Sequence, residues 1–377
     1  MKLLKIEFEN IGIFEKGFTI DLTAADRVTE SSQVANIYRS IYSQNVVAVT
    51  GPNASGKTSL LKLLRLAFKI VIHNAGLDDI GPISGVINDG TIMKVDFYNE
   101  DIFYRLISTI GIQDQLQDNK YYFKDEIVYS KVKSEVRNKE SVNEFEKILL
   151  RRSDVTNNKN NFLKPQDSIV SIYTRNDVIY RDTISATNIN IYHNRGNDIM
   201  PFVNLFDNSI EFIKSNNEEC EIKFKNKDKQ YTTNIFETEN YLSSGTIKGS
   251  NLIFTIALVM KSGGYLIIDE IENHIQKKLV QILIGLFTDE EINRFGATLI
   301  FSTHYSEIID VIDRKDNIYV LVRDQDFVSK VIRYSEIVNR NDIKKSEILL
   351  SNYIDGTSPS YELIKDVREL LCKLVNS

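Results

Sequence analysis

The chain is poor in proline and glycine and has no tryptophan. Its 377 residues hold 5 Pro and 17 Gly, where average usage gives roughly 19 and 26. That shortage excludes a turn-rich protein of small strands. Cysteine is scarce as well. Cys220 and Cys372 cannot make a disulfide framework or a Cys-based zinc site. Two free thiols fit a reducing cytoplasm, and a cytoplasmic protein is expected. No apolar run reaches the ~18 residues that a membrane span needs. The opening MKLLKIEFENIGIF alternates like a strand and does not read as a signal peptide. Charge is nearly balanced, with 46 Lys plus Arg against 52 Asp plus Glu and a formal net charge of -6. Whole-surface capture of nucleic acid is therefore not expected, which leaves room for a local basic groove. A hydrophobic content of 42% excludes a wholly disordered chain.

Order is strong at two places. Residues 3–9 and 18–22 predict two strands, and 24–44 turn from polar to helix-like. NVVAVT (45–50) is β-branched and apolar, as a buried parallel strand should be. A leucine-rich helix follows at about 57, with Leu60, Leu61, Leu64 and Phe68 on one face. From about 75 to 235 regularity falls. Hairpins are expected at 94–108 and 219–236, further strands at 120–131, a charged helix at 134–151 and an Asn-rich loop at 153–166. Regularity returns at Tyr241. A helix over 251–260 ends at Gly263-Gly264, then come a strand at 265–268, an amphipathic helix at 275–287 and a strand at 297–302. Strands at 317–322 and 329–332 follow, and 341–377 is mostly helical. There is no internal repeat.

The strongest chemical signal joins the strand at 45–50 to the helix after it. Gly51-Pro52-Asn53-Ala54-Ser55-Gly56-Lys57-Thr58 matches G-x-x-x-x-G-K-[ST], the phosphate-binding loop. Glycines let the backbone wrap phosphates and aim N–H groups at them. The helix N-terminus, where Ser59 follows, adds partial positive charge. Lys57 reaches the β- and γ-phosphates, and the Thr58 hydroxyl ligates Mg²⁺. A second signal is YLIIDE, ending in Asp269 and Glu270. Neighbouring strand residues face opposite ways, so Asp269 can hold Mg²⁺ through its water shell while Glu270 activates the attacking water. Leu242-Ser243-Ser244-Gly245-Thr246 opens a helix, where N–H and hydroxyl groups can receive a phosphate. His304, after the strand ATLIFST, can donate to the γ-phosphate.

The order of these four elements resembles the ABC-type ATPase superfamily. LSSGT looks like its signature motif, with Ser244 in place of the first glycine of Leu-Ser-Gly-Gly. Asn273-His274-Ile275-Gln276 stands at the D-loop, where transporter ATPases favour Ser-Ala-Leu-Asp. The Q-loop glutamine has three candidates, Gln113, Gln115 and Gln117. The long stretch between Thr58 and Leu242 and the sequence Ile271-Glu272-Asn273 after Glu270 depart from transporter subunits. The opening LLKIEFENIGIFEKGFTIDL is similar to the first hairpin of the SMC, RecF and OLD clade. No SMC coiled coil is present, and the residues after His304 are too few for an OLD nuclease domain. DEIENHI, TLIFSTH and RNDIKKSE (340–347) are most similar to stand-alone AbiL-type ATPases of abortive infection.

That resemblance implies an α/β P-loop NTPase fold. It would be an ABC-type head with a mixed central sheet, an N-terminal antiparallel β subdomain and an α+β insertion. The expected divisions are 1–75 (first half of the head), 76–204 (an insertion or lid and candidate partner surface), 205–340 (second half) and 341–377 (a helical extension). It further implies ATP and Mg²⁺, and an ATPase catalysed by Glu270, His304 and Lys57. Residues 51–59 would bind ATP, and 242–246 would bind it in trans within a homodimer or higher homo-oligomer. A separate effector and a phage-derived trigger are the expected partners, in bacterial antiphage defence. A RecF-like repair ATPase that binds DNA, or the energising subunit of a transporter, are the competing functions. His73 and His193 have no nearby acid pattern and are expected to be ordinary histidines. Lys131, Lys133, Arg137 and Lys139 are diluted by Glu135 and Glu140, so a solvated face is expected there. Arg340, Lys344 and Lys345 are candidates for contact with nucleic acid or a partner.

Overall fold

Alternation in the first residues produces the hairpin it predicts. In the computed structural model β1 (Lys2–Glu9) and β2 (Phe18–Asp21) pair antiparallel, with Ile6 opposite Ile20 and Phe8 opposite Phe18. The structure describes all residues except 15–16, 30–32, 82, 84, 114–119, 158–161, 176, 185–199, 217, 325, 339–342, 352, 358–360 and 377, and excepting the side chains of 363 and 376. Gln115, Gln117, His193 and Arg340 lie outside the described residues.

Next come β3 (Val34–Tyr38), β4 (Ile41–Gln44), β5 (Val46–Thr50) and α1 (Lys57–His73). Where residues 24–44 suggest a helix, β3 and β4 instead form a hairpin. Val34, Ile37, Tyr38, Ile41 and Tyr42 suit a pleated surface better than a helix, and Arg39 takes φ 49 at the turn. β6 (Thr91–Asn99), β7 (Ile102–Gln113) and β8 (Lys120–Val132) form a meander. Glu100 and Asp101 join the first two with φ 46 and 66, as a two-residue hairpin loop requires.

The charged helix expected over 134–151 does not form. Single 3₁₀ turns and β9 (Ile148–Arg151) take its place. Val136 and Val142 are the apolar side chains this segment buries, too few for a helical stripe. Ser141 and Asn138 instead bind the local backbone, Ser141 Oγ accepting from the N–H groups of Arg137 and Asn138. β9 pairs with β8. One antiparallel sheet results, in the order β2-β1-β6-β7-β8-β9. Residues 91–151 thus extend a sheet begun by residues 2–21. A short α2 (Arg152–Thr156) opens the stretch expected as an Asn-rich loop.

The remaining elements are β10 (Tyr180–Asp182), α3 (Met200–Phe206), β11 (Ile210–Ser215), β12 (Glu219–Phe224), β13 (Gln230–Asn234), α4 (Ser244–Ser262), β14 (Tyr265–Ile268), α5 (Lys277–Thr288), β15 (Thr298–Thr303), β16 (Ile318–Arg323), β17 (Ser329–Arg333), α6 (Tyr334–Ile337), α7 (Lys345–Leu350) and α8 (Tyr361–Asn376). The second sheet runs β10-β14-β15-β5-β16-β17. Every pair in it is parallel except β16 with β17. β5, β14 and β15 are buried at every residue, because both faces of this sheet are covered. Val47 and Val49 pack with α1 and the N-terminal sheet. Val46 and Ala48 point the other way, into a core with α4 and α5. α1 lies between the two sheets, so Leu60, Leu61, Leu63, Leu64, Leu66 and Phe68 are all fully buried.

β11, β12 and β13 form a small sheet whose core includes Leu242 and Ile247 at the start of α4. α8 leaves Ile364, Val367, Leu371 and Leu374 exposed. Among the described residues no helix is long and apolar enough to cross a membrane.

Candidate nucleotide-binding site

Parallel strands deliver the chemistry to one edge. β5, β15 and β14 are adjacent and point the same way, so the residues that follow each strand meet at their carboxyl ends. Residues 51–56 follow β5, Asp269 and Glu270 follow β14, and His304 follows β15. The loop after β5 needs glycine at 51. Gly51 has φ 145, and a Cβ there would stand 2.2 Å from the Leu321 carbonyl oxygen. Helix α1 begins at Lys57, directly beyond the loop. Its first N–H groups are unpaired within the helix and face the same edge.

These residues surround a cavity of about 430 Å³, a size typical of small-molecule sites. Residues 53–59, Asp269, Glu270 and His304 line it, joined by Ile13, Arg323 and Ser329. Gly51 and Pro52 contribute through their carbonyls, which accept from Lys57 Nζ at 2.7 and 2.9 Å. Burial pulls the Lys57 ammonium down to about 8, opposed by Asp269, Glu272 and Glu270. Thr58 Oγ1 donates to Asp269 Oδ2 at 2.8 Å. Ser302 Oγ donates to Asp269 Oδ1 at 2.5 Å and accepts from the Glu270 N–H at 2.7 Å. His304 Nε2 lies 3.4 Å from Glu270 Oε1. The His304 N–H donates to Glu272 Oε1 at 2.6 Å.

The arrangement fits a nucleotide phosphate chain. A loop with no room for a side chain at Gly51, a cation inside it and a helix N-terminus behind it form an anion cradle. Ser55 Oγ is buried there without a hydrogen-bond partner among the described residues, ready for an added acceptor. The set also fits Mg²⁺. That ion takes one or two carboxylates together with substrate phosphates and waters, and Asp269 and Thr58 supply a matching half-shell.

A family model described as "AAA domain, putative AbiEii toxin, Type IV TA system" matches residues 46–310. The chain belongs to this AAA-domain family. It is an AAA/ABC-type ATPase chain with a P-loop NTPase fold, and the match runs from β5 past His304. No curated protein matches the chain.

The signature candidates of this AAA-domain chain sit elsewhere. Ser243 is the N-cap of α4, its Oγ accepting from the Thr246 N–H at 3.1 Å. Leu242 and Thr246 are buried while Ser243 is exposed. A Cβ on Gly245 would meet the His274 carbonyl oxygen at 2.5 Å, so the helix start is packed on the segment after Glu270. Residues 242–246 do not line the cavity. Gln113 does not line it either, and the Q-loop role stays unassigned.

Sequence reasoning missed Ser302, Glu272, Ile13, Arg323 and Ser329. Arg323 was accessible to it, because it ends a strand parallel to β5 and so lies at the same edge. Ile13 was not, since it arrives from the β1–β2 connection through the Ser329 N–H bonding its carbonyl at 3.1 Å.

Proposed function

We propose that this chain is an ATP-hydrolysing sensor and scaffold of a bacterial antiphage system, of the AbiL abortive-infection type. Two copies join head to tail around ATP and control a separate effector. The observation that carries the reading is the incomplete cavity. It gathers the phosphate loop, Asp269, Glu270 and His304, but residues 242–246 lie outside its lining. An exposed Ser243 at a helix N-terminus suits the phosphates of a second copy. The family's description, which joins an AAA domain to a toxin system, supports the defence setting.

In this mechanism residues 51–58 hold the phosphates through backbone N–H groups and Lys57. Thr58 and Asp269 would hold Mg²⁺, which when bound screens charge on the β- and γ-phosphates. Glu270 orients the attacking water and takes its proton. His304, beside Glu270, donates to the γ-phosphate. The two copies are held by charge-assisted hydrogen bonds to the two nucleotides between them and separate after hydrolysis.

Co-purification from the native operon, using Glu270→Gln with ATP, tests the assignment. Recovery of a neighbouring toxin or nuclease supports it. Salt-dependent DNA binding without such a partner would move the chain to the RecF-like repair class.

A further inference from the structure

We infer that Ser302 is the positioning residue of this ATPase site, orienting both the metal-holding and the water-activating carboxylates. The inference rests on the ATPase reading above and deepens it. Three consecutive residues hang on this one serine. Its hydroxyl donates to Asp269 Oδ1 at 2.5 Å and accepts the Glu270 N–H at 2.7 Å. Its carbonyl accepts the Ile271 N–H at 3.1 Å. The hydroxyl has a single proton, and with Glu270 acting as donor that proton is committed to Asp269.

Two further facts make the hydroxyl hard to replace. Ser302 is fully buried, so bulk water cannot substitute for it. Glu270 has φ 51, a conformation that a long side chain adopts only when its surroundings impose it. The Ser302 hydroxyl is the acceptor for that residue's N–H, and so part of what imposes it. Asp269 takes a second donor, Thr58 Oγ1, on its other oxygen. Ser302 therefore fixes the rotation of the carboxylate and the turn that carries Glu270. It touches neither the substrate cavity nor the reacting atoms, and acts through its neighbours.

The test compares wild type with Ser302→Ala and Ser302→Cys. The cysteine keeps almost the same volume with a much weaker hydrogen-bonding group, so it covers the case in which Ala disturbs folding. ATP binding without Mg²⁺, kcat, KM and the Mg²⁺ requirement are measured. The expected result is unchanged Mg²⁺-free ATP binding, a kcat loss of roughly tenfold or more and a raised Mg²⁺ requirement, in both variants. Wild-type kcat and Mg²⁺ dependence in the variants overturn the inference and leave the ATPase reading standing. Parallel loss of ATP binding and hydrolysis with lowered Tm also overturns it, because that marks a merely structural serine. A wild-type protein that binds but never hydrolyses ATP overturns both.

Discussion

Thr58 Oγ1 donates to Asp269 Oδ2 at 2.8 Å across 211 residues of sequence. That bond joins the phosphate loop to the end of β14 before any ligand arrives. The two groups proposed to hold Mg²⁺ are thus already positioned, and they are coupled. Thr58→Ala or Asp269→Asn is expected to weaken Mg²⁺ affinity, and so raise the Mg²⁺ concentration that hydrolysis requires, by roughly 10–100-fold. Titration of activity against Mg²⁺ checks this, and Mg²⁺-free ATP binding should persist in both variants.

Lys57 gives the site a pH signature. Burial pulls it to about 8 from the ordinary lysine value of 10.5, so the unfolded chain binds more protons here between those values. At this residue the ligand-free protein gains stability as pH rises from about 8 to 10.5. Phosphate reverses the preference, since it favours the ammonium. ATP affinity should therefore fall as pH rises above about 8, with proton uptake on binding. Calorimetry in buffers of different ionisation enthalpy measures that uptake, and Lys57→Ala should remove it together with most of the affinity.

His304 is held at both ends of its residue. Its N–H is bound by Glu272 Oε1 at 2.6 Å, and its ring stands 3.4 Å from Glu270. His304→Ala should lower kcat by about 10² with ATP affinity kept. Glu272→Ala should give a smaller loss of the same kind, because it frees the backbone and leaves the ring in place. Single-turnover hydrolysis compares the two.

The antiparallel sheet depends on a buried ion pair. Arg152 Nη1 bonds Glu126 Oε2 at 2.6 Å, and Ser168 and Ser108 donate to the other carboxylate oxygen. Arg152→Ala strands a buried carboxylate and should cost about 3–5 kcal/mol. Denaturant unfolding should show this as a lower midpoint.

The phosphate loop, DE pair and histidine were legible because strand-end chemistry is local. Each motif follows an apolar strand of its own, and the structure brings those strands side by side. Ser302 and Glu272 were not legible. A serine inside ATLIFSTH gives no sign that it will face another strand's turn, since register between β14 and β15 is set by packing. The hairpin at 34–44 was missed because tertiary burial of Val34 and Ile41 outweighed weak local preference. The charged stretch 134–151 misled for a related reason. Helix-compatible residues form no helix when too few of them can be buried.

In the proposed head-to-tail dimer the signature residues would act on the partner's nucleotide. Gly245→Val crowds the His274 carbonyl and should keep ATP binding while losing hydrolysis. Mixed with Lys57→Ala, it should regain part of the activity, because one composite site of the mixed dimer carries neither change. The most direct measurement is the solution mass of Glu270→Gln by light scattering, with and without ATP–Mg²⁺. The account predicts a monomer that becomes a stable dimer with ATP and does not revert. A mass that stays monomeric at saturating ATP would contradict it.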